Sequence, residues 1–150
     1  FLTSIREEMT AADGFLIGFD LVKDIDVLER AYNDEAGVTA EFNLNVLRVM
    51  NRELGASFDL DAFGHRAVWN AADSRIEMHL ESVVEQLVRI PSIGLDISFA
   101  AGETIRTELS HKYTRESAGG LLQASGLGLE SWCTDRSDRF ALALARARSV

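Results

Sequence analysis

Cysteine, proline and long apolar stretches are all scarce in this 150-residue chain, and each shortage excludes something. The single cysteine, Cys133, has no partner for an internal disulfide and no C-x-x-C neighbour. That fits a reducing compartment, excludes a cysteine-based zinc site, and reads as a small buried residue on a strand. The single proline, Pro91, stands beside Ser92 and Gly94 and marks a turn between strands. No apolar run approaches the ~18 residues of a membrane span, and no signal-peptide pattern occurs. Basic residues number 15 against 24 acidic ones and form no cluster. The net charge of -9 therefore argues against nucleic acid or an anionic membrane as partner. Of the three histidines, His65 and His79 have no ligand spacing around them and read as solvent-side residues, so no metal is expected. The remainder, 47% hydrophobic and 26% charged, is ordinary globular material that predicts a cytoplasmic location.

The order of elements is mixed. Phe1, Leu2, Ile5 and Met9 already follow a helical stripe, so the expectation is that the chain enters partway through a larger domain. Phe15 to Leu21 (FLIGFDL) is a nearly continuous apolar run of the kind buried on both faces of a parallel sheet. Asp24 predicts the cap of a helix reaching Tyr32, and Gly37 opens a second helix that ends at Leu54-Gly55. Val38, Phe42, Val46, Val49 and Met50 form the apolar face of that second helix. From Ala67 to Ala100 the pattern is β, with Ile76, Met78 and Leu80 alternating with Arg75, Glu77 and His79. A last helix from Arg115 to Ser125 stops at Gly126, and two strands follow, near Leu127 to Thr134 and Arg139 to Ala145. There is no internal repeat and no low-complexity tract.

The most informative stretch is GETIRTELSHKY, Gly102 to Tyr113, in which Glu108 and Ser110 stand two apart in a strand-like run. Residues at that spacing share a face, about 7 Å apart. An imidazole suits the pair, because a carboxylate accepts from one ring N–H while a hydroxyl donates to the other nitrogen. Two polar residues on a solvated strand face give the same pattern. No Ser/His/Asp or Cys/His constellation accompanies the pair, so no catalytic side chain is expected.

AYNDEAGVTAEFNLN (Ala31 to Asn45) and SRIEMHL (Ser74 to Leu80) precede that stretch in a telling order. With them the chain, from LIGFDLVKD (Leu16 to Asp24) to SWCTDRSDRFALAL (Ser131 to Leu144), resembles the C-terminal half of the histidine-specific, S-adenosylmethionine-dependent Nα-methyltransferases of ergothioneine biosynthesis. The resemblance implies an α/β fold, α+β in this portion: the C-terminal part of a class I Rossmann-like methyltransferase with an inserted helical and β-rich substrate-binding domain. Residues 1–32 then end the methyltransferase core, 33–113 form the insertion, and 114–150 supply a closing helix and antiparallel strand pair.

The same resemblance implies L-histidine as substrate and S-adenosylmethionine as methyl donor. Tyr32 sits on the substrate carboxylate, Met78 beside the ring, and Glu108 and Ser110 on the ring nitrogens. Met78 also lies on the apolar face of its strand, where core packing explains it equally well. Asn33 occupies the third place of an AYDD-like motif, and His111 stands where many members carry an aromatic residue. No glycine-rich turn follows a first buried strand, so the cofactor-binding groups are expected upstream of Phe1, with the 150-residue chain inactive alone and prone to self-association through an exposed sheet edge. Two other readings remain: a methyltransferase for another amino acid, or a non-catalytic amino-acid-binding half of a split protein.

Overall fold

In a computed structural model, residues 1–148 are described; Ser149 and Val150, the end of the expected 114–150 segment, lie outside the described residues. The elements in chain order are α1 (Leu2–Glu8), β1 (Gly14–Asp20), α2 (Ile25–Tyr32), α3 (Val38–Leu54), β2 (Phe63–Asn70), β3 (Arg75–Ser82), β4 (Gln86–Ile90), β5 (Leu95–Phe99), β6 (Thr104–His111), α4 (Arg115–Ala124), β7 (Leu127–Thr134) and β8 (Phe140–Ala147). This is a mixed α/β chain made of two compact units, one of residues 1–23 with 111–150 and the other of residues 24–110. The sequence places residues 1–32 together. The structure groups α2 with the 24–110 unit instead, because its buried Leu28 packs with Ala67, Ile76 and Met78.

In the first unit a three-stranded sheet runs β1-β8-β7, with β8 antiparallel to both neighbours. Ala141, Ala143 and Ala145 of β8 are fully buried, and these short side chains join Leu2 of α1 and Ala118 and Leu122 of α4 in one apolar cluster. The other face is open: an apolar run of the kind covered on both faces in a complete sheet leaves one of them exposed. Leu16 is 63% exposed, and Phe140 and Leu142 beside it are also exposed, so β1 buries one face only among the described residues. Cys133, expected to be buried, is likewise exposed. Past β1 the chain stays in register with the segment after β6: Tyr113 N–H donates to Asp20 C=O (2.9 Å) and Val22 N–H to Tyr113 C=O (3.0 Å). Asp20 lies between Lys112 (2.9 Å) and Lys23 (2.5 Å). Burial pushes its carboxyl up, but the hydrogen bonds and charges of the two lysines outweigh that and leave it lowered.

The second unit holds the sheet β2-β3-β6 and the β4-β5 hairpin. Its main core gathers Leu47 of α3 with Leu80, Val88 and Ile90 and with Phe58, Phe63 and Phe99, whose ring centroids are 5.5–6.4 Å apart. The ends of α3 are where the sequence predicts them, at Gly37 (φ 71°) and Gly55 (φ 63°), both in the left-handed region that favours glycine. Its orientation differs. Of the expected face, Val38 (68% exposed), Phe42 (66%), Val46 and Val49 are exposed and Met50 packs against the core, while Asn43 and Leu47 are buried. The rotation has a cause: Asn43 Nδ2 donates to the His79 carbonyl (3.1 Å) and to His65 Nδ1 (2.9 Å), which draws that side of the helix onto the sheet.

Candidate functional site

The site residues are built around the junction of α2 with β2. Because β2 is an edge strand, its outward N–H and C=O groups need partners other than a neighbouring strand. The end of α2 supplies them. Asn33 Oδ1 accepts from Ala67 N–H (2.9 Å) and Asn33 Nδ2 donates to Ala67 C=O (2.9 Å), so the carboxamide imitates a paired peptide group. One turn earlier, Glu29 Oε1 accepts from Trp69 N–H (3.0 Å). Positions i and i+4 of a helix thus meet residues 67 and 69, which face the same edge of the strand. Asp34, next in the motif, accepts from Val38 N–H (2.9 Å) and Thr39 N–H (2.8 Å) at the start of α3. The Thr39 hydroxyl, then the Thr39 and Val38 amides, hold its carboxyl down at about 2.

This clamp sets Tyr32. Its ring packs against the cluster of Leu28, Ala67, Ile76 and Met78, and its hydroxyl lies 2.7 Å from Ser110 Oγ on β6. Two predicted site residues 78 positions apart are therefore hydrogen-bonded to each other. Met78, 2% exposed, belongs to the cluster under Tyr32, and its carbonyl accepts from Thr107 Oγ1 of β6 (3.0 Å). Glu108, two residues before Ser110, is exposed and lines a different space, a cavity of about 600 Å³ walled by Phe42, Val46, Met50, Phe58, Phe99 and Ile105. An apolar cavity of that size with a few polar groups at its margin has the character of a small-molecule site.

Several participants have no signature in the sequence. His65 is not solvent-side: its Nε2 is 2.8 Å from the Tyr32 carbonyl and its Nδ1 meets Asn43. His79 is also drawn in, with Nε2 3.3 Å from Glu77 Oε2 and a buried Nδ1 without a partner among the described residues. Glu77 is 8% exposed and gathers Asn70 Nδ2 (2.9 Å), Arg75 Nη2 (2.7 Å) and, at 3.7 Å, Arg106 Nη1 from β6. Asn70, then Arg75 and His79, hold its carboxyl down from 4.5 to about 2. Alternation marks Glu77 as outward on its strand; its partners Asn70 on β2, Arg75 two residues back on β3 and Arg106 on β6 cover it there. No group of three or more His, Cys, Asp or Glu suited to a metal occurs among the described residues.

Residues 1–147 match the sequence profile of a family described as histidine-specific, S-adenosylmethionine-dependent methyltransferase. Histidine N-alpha-methyltransferase of Mycolicibacterium smegmatis is 48% identical over 145 residues, covering 97% of this chain and 45% of that protein. An L-tryptophan methyltransferase of Psilocybe serbica is 28% identical over 99% of this chain and 42% of its own length. Ergothioneine biosynthesis protein 1 of Neurospora crassa is 28% identical over 99% of this chain and 17% of its own length. The chain thus spans less than half the length of the curated relatives it matches.

Proposed function

The chain belongs to the histidine-specific, S-adenosylmethionine-dependent methyltransferases, and we propose from that membership that its protein transfers methyl groups from S-adenosylmethionine to the α-amine of L-histidine, yielding the trimethylated betaine used for ergothioneine. The observation that carries this reading is the 48% identity to a histidine N-alpha-methyltransferase, spread over 145 residues. Its ergothioneine component draws on the likeness to the fungal ergothioneine protein.

In this proposal the described residues bind and orient the substrate. Tyr32 donates to the substrate carboxylate, Glu108 accepts a ring N–H, Ser110 meets the other ring nitrogen, and Met78 backs the ring beside Tyr32. The hydrogen bond that joins Tyr32 to Ser110, and the packing of Tyr32 on Met78, support a common location for those three side chains, with Glu108 two residues before Ser110 on the same strand. Glu108 is exposed on its strand; once a bound substrate covers it, a carboxylate left without an N–H donor is penalised, which makes Glu108 the discriminating group. Methyl transfer to an amine needs a deprotonated nucleophile held in line and shielded from water, tasks that binding groups perform without a nucleophilic triad.

The residues described here do not fit the cofactor. β1 runs into α2 through Leu21–Asp24 without a glycine, and no glycine-rich turn follows a buried strand among the described residues. The 24–110 unit is then the substrate-binding insertion, and the 1–23 and 111–150 segments belong to the methyltransferase core. The test is incubation of the full-length protein with S-adenosylmethionine and each of several amino acids, with products read by mass spectrometry. Histidine carrying successive methyl groups is expected. Methylated tryptophan with untouched histidine would assign the protein to another amino acid, and no methylation of any amino acid would leave a binding protein.

A further inference from the structure

Tyr32 is the last residue of α2, where the final carbonyls of a helix have no intrahelical partner. The Tyr32 carbonyl finds one in His65 of β2, whose Nε2 is 2.8 Å away. The ring's protonation follows from its neighbours. Asn43 Nδ2 can only donate, so the His65 Nδ1 it meets at 2.9 Å is the bare nitrogen; the proton sits on Nε2, which donates to a carbonyl that can only accept. Asn43 is 3% exposed and is itself fixed by its second bond to the His79 carbonyl, so the imidazole is gripped from α3 and grips α2. On the far side of the same peptide group, Asn33 is tied to Ala67 by two bonds. The backbone of Tyr32 is therefore held on both sides. A rotation of about 10° there sweeps a tyrosine hydroxyl by about 1 Å, a displacement large enough to matter for a binding group.

We propose that His65, in its neutral Nε2–H form, is a positioning residue for Tyr32: it fixes the end of α2 so that the Tyr32 hydroxyl meets Ser110 and the substrate, without touching the substrate itself. The proposal rests on the reading of Tyr32 as a substrate-contacting residue. It adds to that reading a specific dependence of substrate affinity on a histidine outside the pocket.

The experiment is a double-mutant cycle in the full-length protein, accompanied by NMR of tyrosine labelled with carbon-13 at the hydroxyl-bearing carbon. His65→Phe removes the donor while keeping a ring, and His65→Gln keeps an N–H near the Nε2 position. His65→Phe is expected to raise KM for histidine about three- to tenfold, the worth of one net hydrogen bond, with kcat little changed. His65→Gln should recover most of the loss. In a Tyr32→Phe background, where there is no hydroxyl to position, His65→Phe should change KM less than about twofold. The Tyr32 carbon signal should shift in His65→Phe and return in His65→Gln. Equal losses in both backgrounds would make His65 a purely structural residue and overturn the proposal, as would a Tyr32 signal unmoved by His65→Phe. A protein that turns over no histidine would fail the functional reading separately, and the NMR comparison would still decide the positioning.

Discussion

Glu108 and Tyr32 are assigned to opposite ends of one substrate, and their variants should therefore fail differently. Glu108→Ala removes the acceptor for the imidazole N–H and is expected to cost on the order of 1–3 kcal/mol in histidine binding, seen chiefly as a raised KM. Tyr32→Phe takes away a hydroxyl that every amino acid would use. The ratio of histidine to phenylalanine binding should shrink in the first variant and stay nearly constant in the second; equal losses for both ligands in Glu108→Ala would make that carboxylate a support of the fold. Glu77 makes a separate prediction. Its carboxyl sits at about 2 in the folded chain against an ordinary 4.5, so the unfolded state binds the proton first as pH falls. The stabilisation is complete above about pH 4.5 and is lost as pH drops toward 2. Glu77→Gln should lower stability at neutral pH, because Arg75 loses a partner 2.7 Å away, and should remove about one proton from the uptake on acid unfolding. An acid limb of unchanged slope in urea titrations between pH 5 and 2.5 would contradict this.

At the scale of elements, α3 shows what local sequence encodes and what it does not. Leu47 is 1% exposed and Phe42 66% exposed. In the 150-residue chain Leu47→Ala should cost about 2–5 kcal/mol, whereas Phe42→Ser should stay within about 0.5 kcal/mol, both measured by urea unfolding of dilute protein. The opposite order would restore the face that apolar periodicity suggests. The ends of α3 were legible because a glycine in the left-handed region acts on its own helix. The buried face was not, because Asn43 is drawn inward by groups on β2 and β3 that lie 22 and 36 residues away. The same division holds elsewhere. Asp24 does accept from Val27 N–H at the start of α2, as capping chemistry predicts, and β7 and β8 form the expected hairpin. The apolar run of β1 suggested a strand that needs neighbours covering both faces, and the exposed Leu16 fits a face left open among the described residues. At the site, alternation placed Glu108 and Ser110 on one strand face looking into one space; both lie on β6, but Glu108 lines the apolar cavity while Ser110 bonds Tyr32, a residue with which it shares no local pattern. Only the resemblance of whole motifs pointed to both, and it was silent on His65 and Asn43.

For the whole chain, what matters is where its glycines fall. Backbone amides reach a dinucleotide-like ligand through a glycine turn between a buried strand and the helix it feeds. Here Gly119 and Gly120 lie within α4 with open space around them, and Gly126, at φ 77°, ends that helix. Gly37 and Gly55 bound α3. None of these positions opens a helix directly after a buried strand, so the 150-residue polypeptide should not bind S-adenosylmethionine measurably on its own. The exposed apolar face of Leu16, Phe140 and Leu142 predicts association of that polypeptide, so the titration needs sedimentation alongside it to establish the species present. Calorimetry is the direct measurement. Absence of saturable heat with the 150 residues, and its appearance with the full-length protein, is the expected pair of results. A micromolar dissociation constant for the 150-residue polypeptide would mean that its own residues hold the cofactor, and that the pocket must be sought among groups assigned here to helix termination.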